Sequence, residues 1–283
     1  FHSLWCLGAQ RKGMVIAMNQ VKDFTDVLSQ TVKVTRGRIS ERDVFRDFIV
    51  LSALQISALT DPVHPKRTKL LGKLLESYEK AEQDALFHTF HKLVQTITQN
   101  TETGIYQDLF NVPYMECCTV KHSLKQDFSP SGVGNLIGQL VFEGHPELQP
   151  EGYMTLNDPT CGSGTLLLEA VGRFASKGFN PSEQLVIQAS DVDAYCAQMT
   201  YIQLSLYGIP AVVIQGEVIA MEEYDRWYTP AYLWGKWVWR APMPFGTARN
   251  RSDELLKMLD DPMYAACRQM DRFIRTGGKK HEQ

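Results

Sequence analysis

Three acidic side chains close three apolar runs. Asp158 ends "MTLND", Asp191 ends "QLVIQASD" and Glu217 ends "AVVIQGE". Between the first run and the next helical stretch lies "DPTCGSGTLLLEA", with Gly162 and Gly164 at the bend. Glycine lets backbone approach a ligand closely and adopt dihedrals closed to other residues. A helix that starts there presents N–H groups without intrahelical partners. Phosphate is the usual guest of such a turn. This turn has no GK[ST], so it is not a phosphate-binding P-loop, and its GxG lacks the third glycine of the dinucleotide fingerprint. An aspartate before the bend repels pyrophosphate and suits a cationic or amine-bearing ligand.

An acid at the end of a second strand commonly accepts hydrogen bonds from both ribose hydroxyls, and Asp191 is placed for that. Glu217 would stand on the same rim, where an acid can accept from an exocyclic amine. Amine, ribose and adenine together describe S-adenosylmethionine better than NAD or ATP. A generic Rossmann-like site for another nucleotide is the plain alternative, and a solvated strand-end acid is the plain alternative for Glu217. Cys161 sits in the bend, yet no His or Asp lies nearby in sequence in the arrangement that activates a thiol, which speaks against a nucleophile.

The elements that must carry these groups are legible in part. Residues 1–19 read as a leader or a disordered segment, and residues 20–120 as a helical N-terminal domain. "SERDVFRDFIVLSALQISAL" opens on Ser40 with Asp43 three residues on, a capping-box-like start. Phe45, Phe48, Ile49, Leu51, Ala53, Ile56 and Leu59 then recur at helical spacing. "DPVHP" breaks that helix. "KLLGKLLESYEKAEQDALFHTFHKLVQTITQ" restores the rhythm as two helices, and a shorter helix is expected to end near Pro113. From residue 121 the order is helix, strand, helix, strand, helix, strand, which implies an α/β fold with a parallel, doubly wound sheet. That unit is expected to run over 121–263, with a C-terminal helix and polar tail over 264–283.

"DPTCGSGTLLLEA" resembles motif I of the N6-adenine DNA methyltransferases, especially the modification subunits of type I restriction systems. "QDFSPSGVGNLIGQL" is similar to their upstream motif, "ASDVDAYCAQMTYIQLSLYGI" to their motif II and "VVIQGEVI" to their motif III. The similarity covers about 128–220. It implies a Rossmann-like, S-adenosylmethionine-dependent methyltransferase sheet preceded by a helical domain. Carried onto this chain, Phe128, Ser129 and Pro130 would flank the methionine. Asp158, Pro159, Thr160, Cys161, Gly162, Ser163 and Gly164 would line the amino-acid end. Asp191 and Val192 would hold the ribose side, and Gly216 and Glu217 the adenine amine. The resemblance implies direct transfer to the N6 of a flipped adenine, with no metal and no covalent enzyme intermediate.

The family's catalytic Asn/Asp-Pro-Pro-aromatic motif has only a degenerate counterpart, Ala241-Pro242-Met243-Pro244-Phe245-Gly246. Pro242, Pro244 and Phe245 are the catalytic candidates, with Phe245 stacking on the base. No typical apolar fourth strand precedes them, although "AYLWGKWVW" could serve as one. The stretch after Gly246 is short for the three further strands the family's sheet needs, so a truncated sheet, a completing partner subunit and lost catalysis all stand open. A non-catalytic, cofactor-binding protein that binds DNA or a partner is the rival reading, and methylation of protein or RNA is a third.

Arg226, Lys236, Arg240, Arg249 and Arg251 are interleaved with Trp227, Trp234, Trp237 and Trp239. Cations among aromatics suit a nucleic-acid strand. Alternatively Trp237 and Trp239 alternate as a strand into a core or interface. The net charge of −3 gives no global field for nucleic acid, so any such surface must be local. His88 and His91 stand at i, i+3 without further ligands and read as surface or packing residues. Six cysteines with no CxxC pair suit a reduced, cytoplasmic setting. No apolar run reaches the roughly 18 residues a bilayer crossing needs.

Overall fold

The computed structural model describes residues 19–60, 65–118 and 146–241. Five helices come first: α1 (19–34), α2 (Glu41–Ser57), α3 (Pro65–Glu76), α4 (Lys80–Glu102) and α5 (Asn111–Cys118). The Ser40 hydroxyl caps α2 by accepting from the Asp43 N–H at 3.2 Å and donates to the Asp43 carboxylate at 2.6 Å. Of the apolar positions expected on α2, all but Leu59 are buried; Leu59 lies past the helix end and is 52% exposed. The two helices expected over 69–99 are α3 and α4. The helix expected to end near Pro113 instead begins at Asn111 and runs through it, because the Asp108 side chain accepts from the N–H groups of Phe110 and Asn111 and starts the turn. Proline is tolerated in a first helical turn, where its missing N–H has no intrahelical partner.

The sheet follows: β1 (Met154–Asp158), α6 (Thr165–Ser176), the short α7 (Pro181–Gln184), β2 (Leu185–Asp191), α8 (Ala194–Leu206), β3 (Ala211–Glu217) and β4 (Glu222–Tyr228), then the short helices α9 (Pro230–Trp234) and α10 (Trp237–Arg240). The order is β1-β2-β3-β4. The first three strands are parallel, with Asp158 paired to Ala189 and Asp191 to Gln215. β4 returns antiparallel to β3, so among the described residues the sheet is mixed rather than wholly parallel. The stretch "AYLWGKWVW" is helical, not a strand; Thr229 caps α9 and Pro230 opens it. The fourth strand comes earlier, over Glu222–Tyr228.

Strand alternation sends alternate side chains to opposite faces. Leu185, Ile187, Ala189, Ala211 and Val213 join one core with α6 and α8. Val186, Val212 and Ile214 join a second with Tyr153, Tyr232, Leu233 and Trp237. The first core runs on without a break into the helical layer, because α8 packs on α2 on one side and on β3 on the other. Ring contacts among Phe24, Phe45, Phe48, Phe110 and Tyr114 fill that layer. α3 is tied to the sheet edge by Arg67, whose guanidinium lies over the Trp227 ring at 3.7 Å and donates to Asp225 at 3.0 Å. The helical layer is thus a wall behind the turn that follows β1.

Candidate functional site

The bend between β1 and α6 is built from the chain outward. The Asp158 carboxylate accepts from the Thr160 N–H at 3.0 Å and turns the backbone off the strand. The Cys161 N–H donates to the Ser190 carbonyl at 2.9 Å, which pins the bend onto the end of β2. Gly162 has φ +55° and Gly164 φ +96°, left-handed values that disfavour a side chain. At Gly164 space is also short, since an added Cβ would stand 3.0 Å from Thr200 Oγ1. That same hydroxyl donates to the Gly162 carbonyl at 3.0 Å.

Asp191 meets the bend directly. Its Oδ2 accepts from the Gly162 N–H at 2.9 Å and its Oδ1 from the Asp193 N–H at 2.9 Å. A carboxylate offers about four acceptor positions, so the carboxylate retains capacity for further donors. Burial, first, pushes the Asp191 carboxyl above its ordinary range, while these two N–H groups pull it back and Asp193 and Asp158 push it further up. Burial likewise raises Asp158, against the pull of the Thr160 N–H. Both acids therefore sit half-desolvated beside each other, an arrangement that a cation would relieve. Burial pushes the Cys161 thiol far up, which disfavours a thiolate nucleophile.

Glu217 ends β3 on the same edge. With Asn157, Pro159, Ser190 and Gly216 it lines a groove of about 90 Å³ that runs to Met221, Glu223 and Arg226. This groove brings together Pro159, Gly216 and Glu217 of the expected cofactor residues; Asp158, Cys161, Gly162 and Asp191 stand on the neighbouring bend. Val192, at the end of β2, is 56% exposed. Gly216 has a packing reason of its own: an added Cβ would meet the Glu222 carbonyl oxygen at 2.3 Å, where the ladder to β4 shifts register.

Sequence reasoning missed Asp108, Thr200 and Gln203, which hold the bend from behind. The Asp108 carboxylate accepts from the hydroxyls of Ser163 and Thr165 and from Gln203 Nε2. Gln203 Nε2 also donates to the Ser163 carbonyl at 2.7 Å. Sequence separation hides this set, since Asp108 lies in the approach to α5 and Gln203 on α8. The only local signal is an aspartate two and three residues before N–H groups it can cap.

The basic and aromatic segment is divided by burial. Arg226 is 9% exposed and paired with Glu223, and Trp237 is 1% exposed against Tyr153. Trp237 belongs to the second core and Arg226 to the wall of the groove, and neither is exposed to a strand. Lys236 and Arg240 are exposed and Trp239 is 61% exposed, with Trp234 half-buried beside them. Arg240 lies over the Trp237 ring at 4.0 Å and donates to the Glu183 carbonyl. Phe128, Ser129, Pro130, Pro242, Pro244, Phe245, Arg249 and Arg251 lie outside the described residues. Among the described residues no His, Cys, Asp and Glu cluster could hold a metal ion, and no helix is long and apolar enough to cross a membrane. His91 pairs with Gln95 at 2.9 Å.

No protein-family model and no curated protein matches the chain. Among solved structures, one similar chain is a Listeria monocytogenes protein described as a class I S-adenosylmethionine-dependent methyltransferase. It aligns with 69% of this chain and 52% of its own at 14% identity, with a TM-score of 0.40. Another is the methyltransferase subunit of a type I restriction-modification system from Streptococcus thermophilus, aligned with 67% of this chain and 56% of its own at 14% identity and a TM-score of 0.32. The chain thus spans about half the length of each. Likeness this loose carries no argument about activity.

Proposed function

We propose that this chain binds S-adenosylmethionine over the carboxyl edge of its sheet and is an N6-adenine DNA methyltransferase-like protein of the type I modification class. The observation that carries the reading is the hydrogen bond from the Gly162 N–H to Asp191 Oδ2, which makes the glycine bend and the β2-end acid one unit. The residues fit the cofactor by charge and by donor type. Asp158 and Asp191 are raised by burial and are relieved by a cation. The acceptor positions left on Asp191 suit ribose hydroxyls, and Glu217 in the groove suits an exocyclic amine. The first N–H groups of α6 suit a carboxylate.

Held there, S-adenosylmethionine supplies a methyl group on a cationic sulfur. The chain's own residues orient it: the bend fixes the amino-acid end, Asp191 the ribose and Glu217 the base. Residues 20–120 serve as the helical N-terminal domain. Lys236, Trp239 and Arg240, with Trp234, offer charge and stacking surface to a DNA strand, and Phe245 stacks on the target adenine.

A second reading, cofactor binding without transfer, is favoured by Ala241. It opens the degenerate catalytic run where the family carries Asn or Asp, and its methyl side chain is 3% exposed in the second core. No side chain in the run Ala241–Gly246 replaces the Asn/Asp amide or carboxylate. Tritiated methyl transfer to unmethylated genomic DNA separates the two. Incorporation that vanishes in Asp191→Ala supports the transferase. Cofactor binding without incorporation supports the second reading, and absence of binding overturns both.

A further inference from the structure

The cofactor bend is held by a residue of the helical layer, and the bonding is lopsided in a telling way. Asp108 Oδ1 accepts from the N–H groups of Phe110 and Asn111 at 2.8 and 3.1 Å and from Gln203 Nε2 at 3.0 Å. Its Oδ2 faces the bend, taking the Ser163 hydroxyl and, at 2.6 Å, the Thr165 hydroxyl. Ser163 and Gln203 are fully buried, and the Leu109 N–H closes the set by donating to Gln203 Oε1 at 2.8 Å. The side chains on either side of Gly164, and the Ser163 carbonyl, are thereby committed inward. Helix geometry leaves the first N–H groups of α6 without intrahelical partners.

We infer that Asp108 is a positioning residue for the amino-acid end of the ligand: it fixes the Ser163–Thr165 bend so that the α6 N–H groups meet the ligand carboxylate. The inference rests on the reading that this bend holds S-adenosylmethionine. Asp108 bonds to the bend side chains and acts through them. A buried carboxylate that accepts from several donors is costly to disturb, because each abandoned donor stays desolvated. The helical layer is then part of the site and not only its support.

The test uses the full chain and three probes in calorimetry: S-adenosylmethionine, S-adenosylhomocysteine, and 5′-methylthioadenosine, which lacks the amino-acid end. In Asp108→Asn, which keeps side-chain size, the first two should bind about tenfold more weakly and the third within about twofold of wild type. A general loss of structure would weaken all three alike. Thr165→Val, which removes one donor and leaves the carboxylate, should shift the same two probes in the same direction by a smaller factor. Equal affinities in wild type and both variants, or equal losses for all three probes, overturn the inference while leaving the cofactor reading intact. If wild type binds none of the three, the cofactor reading fails and this inference with it.

Discussion

The Gly162 N–H donates to Asp191 Oδ2 across 2.9 Å, joining residues that lie at the ends of two different strands. Parallel pairing brings the two strand ends side by side, and the Cys161–Ser190 bond folds the bend onto the second. The register sets Asp158 beside Ala189, so the bend that follows β1 falls over the last residue of β2. Substituting Asp191 should therefore remove a ligand contact and loosen the bend together. We expect Asp191→Asn to retain one bend contact and bind S-adenosylmethionine more tightly than Asp191→Ala. Calorimetry on the pair checks it, and equal affinities would separate the acid from the bend.

Asp158 should trade stability for binding. Burial raises its pKa above the ordinary 3.8, so the folded chain holds the proton more tightly than the unfolded chain. The stability it contributes is full below the ordinary value and is lost as pH rises through the raised value. Asp158→Asn should raise the melting temperature by roughly 1–3 °C at about pH 7, with little difference at about pH 3.5. The same variant should weaken S-adenosylmethionine binding, since the cationic ligand needs the ionised acid. A variant less stable than wild type at neutral pH would contradict this.

Gly216 is required by the β3–β4 hairpin. An alanine Cβ would stand 2.3 Å from the Glu222 carbonyl oxygen, and backbone cannot give way cheaply. Gly216→Ala should cost about 2–4 kcal/mol in urea unfolding. A cost near zero would mean that the shifted ladder relaxes freely.

The tryptophans should separate into two kinds. Trp237, 1% exposed, should cost about 3–5 kcal/mol when cut to alanine. Trp239→Ala and Lys236→Ala should leave the melting temperature within about 1 °C and weaken single-stranded DNA binding by about fivefold or more. Fluorescence anisotropy at two salt concentrations reads the second effect. Unchanged DNA affinity in both variants would remove that surface from the account.

Much of the sheet is legible in sequence because its signals are local. β2 and β3 open on the apolar runs Leu185–Ile187 and Ala211–Ile214, and Asp158 and the glycine bend sit in one short stretch. β4 escapes that reading. "EEYDRWY" shows no clean alternation, and its inward Trp227 depends on Arg67 and Tyr201, which lie far away in sequence. The helices after β4 had a local signal, Thr229-Pro230 as cap and first turn, against the pull of alternating tryptophans. Asp108 had almost none, since three of its five partners come from α6, α8 or the bend between strand and helix. Long-range polar networks leave no periodic trace in a chain.

The central claim is that the bend and its acids hold S-adenosylmethionine, and direct calorimetric titration of wild type and Asp191→Ala with that compound tests it. A saturable heat in wild type, reduced at least about tenfold in affinity in the variant, is the result expected. Equal heats in the two proteins, or no heat in wild type, would contradict it.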